Sequence, residues 1–179
     1  MNNLISTLKT EKMKKIILFS AMLIAFTAGI FAQSTDTEPT TATATIVGPL
    51  ALTKVSDMNF GTIAVTGTAG TVVLGTDNSR TAVGPALVPP AAGVAASFTV
   101  AGEPNKTFII TLPANGTVSL ISGANTMAAN TFVHNAGANP VLSGAGAAAF
   151  TVGATLSVAA NQPAGIYTSA SFNVRIDYN

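Results

Sequence analysis

The 179-residue chain reads as an all-β protein, an antiparallel sandwich or barrel of about nine strands. Two observations predict this. Apolar and polar residues alternate with period 2 in several runs, most plainly at the end: Ala170, Phe172, Val174, Ile176 and Tyr178 fall on one side of the chain, Ser171, Asn173, Arg175 and Asp177 on the other. No stretch beyond the N-terminal leader combines helical period, length and capping residues.

The leader comes first. Met13 is followed by Lys14 and Lys15, an apolar run from Ile16 to Phe26, and small residues before Ala32, the layout of a Sec signal peptide over 13–32 with cleavage after Ala32. The stretch from Ile16 to Ala32 is short and contains Ser20, Thr27 and Gly29, so no permanent membrane span is expected. Residues 1–12 precede a complete signal and read as an over-called start. Export places the product in the extracellular space or on the cell surface, with the periplasm as the alternative. Cysteine is absent, which excludes disulfides, thiolate chemistry and a lipid-anchoring cysteine.

Residues 33–45, rich in Ser and Thr, read as an extended solvated arm, and 46–179 as a single sandwich domain. From Ala42 a period-2 series runs through Ala44, Ile46, Gly48, Leu50 and Leu52 and crosses Pro49, a residue tolerated at sheet edges but not in central strands. This series is the candidate assembly strand. Shorter candidates lie near 58–65, 71–75 and 126–133. Ala96, Phe98 and Val100 alternate with Ser97 and Thr99. The loop Gly102–Lys106 then leads into a run in which Phe108, Ile110 and Leu112 share a side, and a hairpin between these two runs is expected. Asn115-Gly116 suits the tight turn that would return the chain along Val118 and Leu120, giving a three-strand meander. The low-complexity stretch 143–149 reads as a loop or weak edge. Val152, Ala154, Leu156 and Val158 alternate again before the closing strand, whose apolar side is expected to wall the core.

Phe60, Phe98, Phe108, Leu156, Tyr167, Phe172, Val174, Ile176 and Tyr178 form the expected structural core. Tyr167, just after Pro163-Ala164-Gly165, is also placed like the tyrosine corner of immunoglobulin-like sandwiches, whose hydroxyl ties a Greek-key connection to nearby backbone. A half-buried strand aromatic is the equal alternative.

Three stretches, 57–65, 97–113 and 155–178, resemble a family of secreted bacterial proteins known as domain of unknown function 4402. The likeness rests on Asn59-Phe60-Gly61, Phe98 to Gly102, Pro163-Ala164-Gly165 with Tyr167, and the terminal Tyr178. The ending is more loosely similar to spore coat protein U and to chaperone-usher pilin domains. That likeness implies a pilin-like sandwich, completed by a strand from a neighbour through main-chain hydrogen bonds and alternating side chains.

No chemistry is legible. His134 is the single histidine, too few for a metal cluster or a relay, and the six carboxylates after the leader are scattered without the spacing of a glycosidase pair or a calcium loop. Asp77-Asn78 reads as a turn. No catalytic, cofactor or metal residue is expected. Residues 33–179 carry four basic and six acidic side chains, a net charge of −2 without a basic patch, which argues against nucleic acid as a partner. The expected function is a non-enzymatic structural or adhesive subunit that assembles with itself or with other surface proteins. The alternative is a secreted module that binds carbohydrate or protein. Trp is absent and Tyr167 and Tyr178 are the sole tyrosines, few rings for stacking on sugars. An outer-membrane barrel would need two aromatic girdles that this composition does not supply.

Overall fold

The computed structural model describes residues 35–90 and 92–179. The expected leader lies outside the described residues. Residues 35–44 have no regular secondary structure and every side chain is exposed.

Thr45–Asn179 form a separate unit whose described residues build only strands and loops. Twelve strands follow one another: β1 (Ala51–Ser56), β2 (Ile63–Ala64), β3 (Gly70–Leu74), β4 (Arg80–Val83), β5 (Ala86–Leu87), β6 (Ala96–Ala101), β7 (Phe108–Thr111), β8 (Val118–Ser122), β9 (Asn125–His134), β10 (Ala147–Val158), β11 (Thr168–Ser169) and β12 (Arg175–Tyr178). Every pairing is antiparallel. The main sheet runs β1-β6-β10-β9-β8-β11, with β3 and β4 added alongside the second half of β10. Two small sheets, β12-β7 and β2-β5, supply the opposing layer.

Strand β10 organises both layers. Phe150, Val152, Ala154, Leu156 and Val158 all fall on its buried side, as a strict period of 2 requires. The first two join Phe98, Val100, Phe108 and Leu142 in one apolar cluster, against which Ile110 of β7 and Ile176 and Tyr178 of β12 pack. The last three join Phe60, Val72 and Leu74 in a second, covered by Ile63 of β2 and Leu87 of β5. The Phe98 and Phe150 rings stack at 5.2 Å across the β6–β10 pair. Strands β8, β9, β10 and β11 lie in the spatial order β11-β8-β9-β10, a Greek key in which the fourth strand returns beside the first.

The meander expected over 96–120 does not form. β6 pairs with β1 and β10, whereas β7 crosses to the other layer and pairs with β12, and β8 returns to the main sheet beside β9. Each run has one apolar face, and a period-2 pattern is the same for a hairpin within a sheet and an arch between sheets. The tight hairpin is instead β8–β9, where Ser122 pairs with Asn125 and Gly123 takes φ +59°. The stretch 143–149 also departs from its reading as a loop or weak edge. Ser143–Gly146 turn, and Ala147–Ala149 then begin the central strand β10. A glycine is required at the turn, since a Cβ on Gly146 would lie 2.2 Å from the Gly102 carbonyl oxygen. The closing run is interrupted, with β11 in one sheet and β12 in the other, although its alternation persists: Phe172, Val174, Ile176 and Tyr178 are half-buried while Ser171, Asn173 and Arg175 are exposed.

At Gly153 the neighbour of β10 changes from β6 to β3, and a Cβ there would meet the Leu74 carbonyl oxygen at 2.3 Å. Gly153→Ala should therefore cost about 1–3 kcal/mol of stability through overpacking against backbone that cannot rotate away. Urea denaturation checks this, and a loss below about 0.5 kcal/mol, typical of surface changes, would show that the Gly75–Ser79 turn yields.

Candidate functional site

The candidate assembly series does not form one strand. Ala42 and Ala44 are exposed in the segment without regular structure, Ile46 is 94% exposed, and pairing begins only at Ala51. Leu50 and Leu52 pack on the cluster around Phe98 and Val100. Within Thr45–Asn179, an unpaired apolar segment thus passes into an anchored edge strand over residues 46–50.

The anchor is Gly48. Its amide donates to Glu103 Oε2 at 3.3 Å, and its carbonyl accepts from the Tyr178 hydroxyl at 3.1 Å. The same hydroxyl accepts from the Glu103 amide at 2.7 Å. The tyrosine tip reaches these partners because residue 102 is glycine: a Cβ there would lie 2.5 Å from the Tyr178 oxygen and 2.8 Å from Leu50. The terminal tyrosine, a core residue in the sequence reading, is therefore also a clasp on the root of the arm. The joint role of Gly48, Gly102 and Glu103 is not legible in the sequence, since Gly48 stands there only as one position of an alternating series and a lone Glu in a Gly-Pro-Asn loop looks like any turn.

Tyr178 closes β12, whose far edge pairs with no strand among the described residues. Phe60, Phe98, Phe108 and Leu156 are buried, but the row of Val174, Ile176 and Tyr178 is only half-covered, as is Phe172, whose ring tilts against Phe132 at 5.5 Å. On the opposite side of β12, Arg175 Nε and Nη2 donate to the two oxygens of Asp177 at 2.7 and 2.9 Å. That bidentate contact holds the guanidinium pKa above its ordinary value.

The remaining candidates are structural. The Tyr167 hydroxyl donates to the Pro163 carbonyl at 2.8 Å and accepts from the buried Gln162 amide at 2.9 Å, fastening the β10–β11 connection of the Greek key. His134 pairs with Val152 and meets the Phe150 ring edge-on at 6.3 Å, its Nδ1 buried without a partner. Among the described residues, no three His, Cys, Asp or Glu side chains approach closely enough to hold a metal, and no helix is long and apolar enough to cross a membrane. A shallow depression of about 280 Å³ on the main sheet is lined by Val55, Ser97, Thr99, Asn135, Ala149 and Thr151, together with parts of Phe98 and Phe150, and carries no ionisable side chain.

Asp77 sits in the β3–β4 turn, where its Oδ1 accepts from the Ser79 hydroxyl at 2.5 Å and the Ser79 amide at 3.0 Å. These bonds hold its carboxyl below the ordinary 3.8. A depressed folded pKa stabilises the fold above the unfolded value, and the effect is lost as pH falls through the folded one. Ser79→Ala should raise the Asp77 titration midpoint toward 3.8 in a carbon-detected NMR titration. An unmoved midpoint would assign the shift elsewhere. For the clasp, Tyr178→Phe should cost about 1–3 kcal/mol in denaturant unfolding by orphaning the Glu103 amide and the Gly48 carbonyl. It should also speed hydrogen exchange at the Gly48 amide, and unchanged exchange would show that Glu103 alone holds the root.

A family model described as Domain of unknown function (DUF4402) matches residues 50–178. No curated protein and no solved structure matches the chain.

Proposed function

The chain belongs to the DUF4402 family, and from that premise we propose that it is an exported, non-enzymatic structural or adhesive subunit of the bacterial surface that assembles by β-strand addition. The observation that carries this reading is the pairing of an unused apolar segment, with Ile46 94% exposed, and an unused strand edge beside a half-covered apolar row on β12. Each answers the need of the other. An edge strand presents free N–H and C=O groups along its length, and an added strand satisfies them while its alternate side chains cover the row beneath.

The side chains set the scale of the contact. Ala42 and Ala44 bury little area at about 25 cal/mol per Å², so Ile46 and the main-chain bonds would carry the affinity. Export is supported by the leader pattern over 13–32, and a non-catalytic role by the isolation of His134 and the turn duties of Asp77. The binding-module alternative finds less support: Phe98 and Phe150 are buried, and the Tyr167 and Tyr178 hydroxyls are engaged within the fold.

Light scattering after size exclusion, on chains 33–179 and 49–179, tests the reading. Species heavier than one chain are expected only when residues 33–48 are present. If both chains are folded and monomeric, assembly through the arm is wrong and glycan or surface-protein binding takes its place.

A further inference from the structure

Strand addition leaves open which edge accepts the arm and what assembly results. β1 is bulged where it pairs with β6, with a register shift between Lys54 and Ser56 that bends the strand, and it carries the exposed Lys54–Asp57 ion pair, two features that blunt its free edge. β2, β5 and β11 are two residues long, and β4 has β5 packed against it. β12 differs. Its open edge lies beside the half-covered Val174 and Ile176, and its charged side is already satisfied by the Arg175–Asp177 pair, so covering this strand would bury no unpaired charge.

The clasp decides the rest. Because Gly48 is held by Tyr178, the arm leaves the domain at the C-terminal end of the very strand whose edge is open. The donor root and the acceptor edge therefore share one corner of the molecule. An open filament needs a donor on one face and an acceptor on another, whereas a shared corner brings the second copy's donor to the first copy's acceptor as soon as one exchange forms. Resting on the strand-addition reading, we infer that the exchange is reciprocal: two copies close into a two-fold dimer, each laying residues 42–47 along the outer edge of the other's β12. Residues 48–52 stay home, tied by the clasp and by Leu50 and Leu52. Six extended residues span about 20 Å, more than the roughly 13 Å of a four-residue strand, so the reach suffices.

The test uses the chain from Gln33 onward, studied by light scattering over a range of concentrations. It is set beside the variant Ala44→Asp/Ile46→Asp, whose positions are exposed in the single chain and pack on neither apolar cluster. A mass that rises to twice that of one chain and stops is expected, with the double variant weakening the dimer by at least about tenfold in dissociation constant. Since the chain has no cysteine, Thr45→Cys and Asn173→Cys proteins can also be mixed and oxidised, and the mixture should give disulfide-linked pairs joining the two variants. An arm-dependent ladder of larger species would overturn reciprocal closure while leaving strand addition intact. A monomer at every concentration would remove strand addition and the dimer together. A dimer indifferent to the aspartates, or a mixture that does not cross-link, would place the contact elsewhere.

Discussion

The alternation along β10 is the constraint on which the other strands depend. The strand is long enough to take β6 and then β3 on one edge while β9 occupies the other, so its register sets three neighbours at once. A slip of one residue would turn Phe150, Val152, Ala154, Leu156 and Val158 outward together and empty both clusters. The strands accommodate it at local cost. β9 absorbs an extra residue opposite Gly153–Thr155, and there Thr131, a β-branched residue, takes φ +50°. That conformation is held from outside: the Thr131 amide donates to Asn115 Oδ1, and the neighbouring Asn130 Oδ1 accepts from the Gly116 amide, both at 2.7 Å. Strain of this kind persists where the surroundings over-determine it.

What the sequence shows plainly is where apolar side chains alternate, and the structure buries those faces at Phe98, Phe108 and Leu156. What it conceals is who pairs with whom. β6 and β7 look like a hairpin because a six-residue loop joins them, yet that loop crosses between layers. Ala147–Ala149 look like low-complexity filler because alanine carries no pattern strength, although the backbone there lies in the middle of a sheet. The short β4 and β5 give no periodic signal at all. For β6, β7 and the alanines the deciding contact is distant in sequence, and local pattern carries no information about it.

The candidate site divides in the same way. Alternation marked Phe172, Val174, Ile176 and Tyr178 as a core wall, and they do face the core, but nothing in the pattern distinguishes a finished wall from one left half-covered. Nor could spacing have shown that the Tyr178 hydroxyl reaches Gly48, 130 residues away in the chain, or that Gly102 makes room for it. The Ser- and Thr-rich composition points to an extended segment, and nothing in it points to the hydrogen bonds that hold Gly48. The domain also manages its charge sparingly: Lys54 and Arg80, the cations of the main sheet, pair with core-side positions Phe98 and Leu74, and Lys54 bonds Asp57 while Arg80 bonds the Phe60 carbonyl.

The bond between Tyr178 and Gly48 also has a bearing on time. It joins almost the first residue of the folded unit to almost the last, a long loop to close and one that cannot form until residue 178 has been made. A chain that emerges from its N-terminus holds its arm unanchored until the final tyrosine arrives, so the geometry that would direct the arm toward a neighbour is completed only when each domain has folded. On the strand-addition reading, that order would act as a safeguard, since a half-made copy would have no fixed corner to offer.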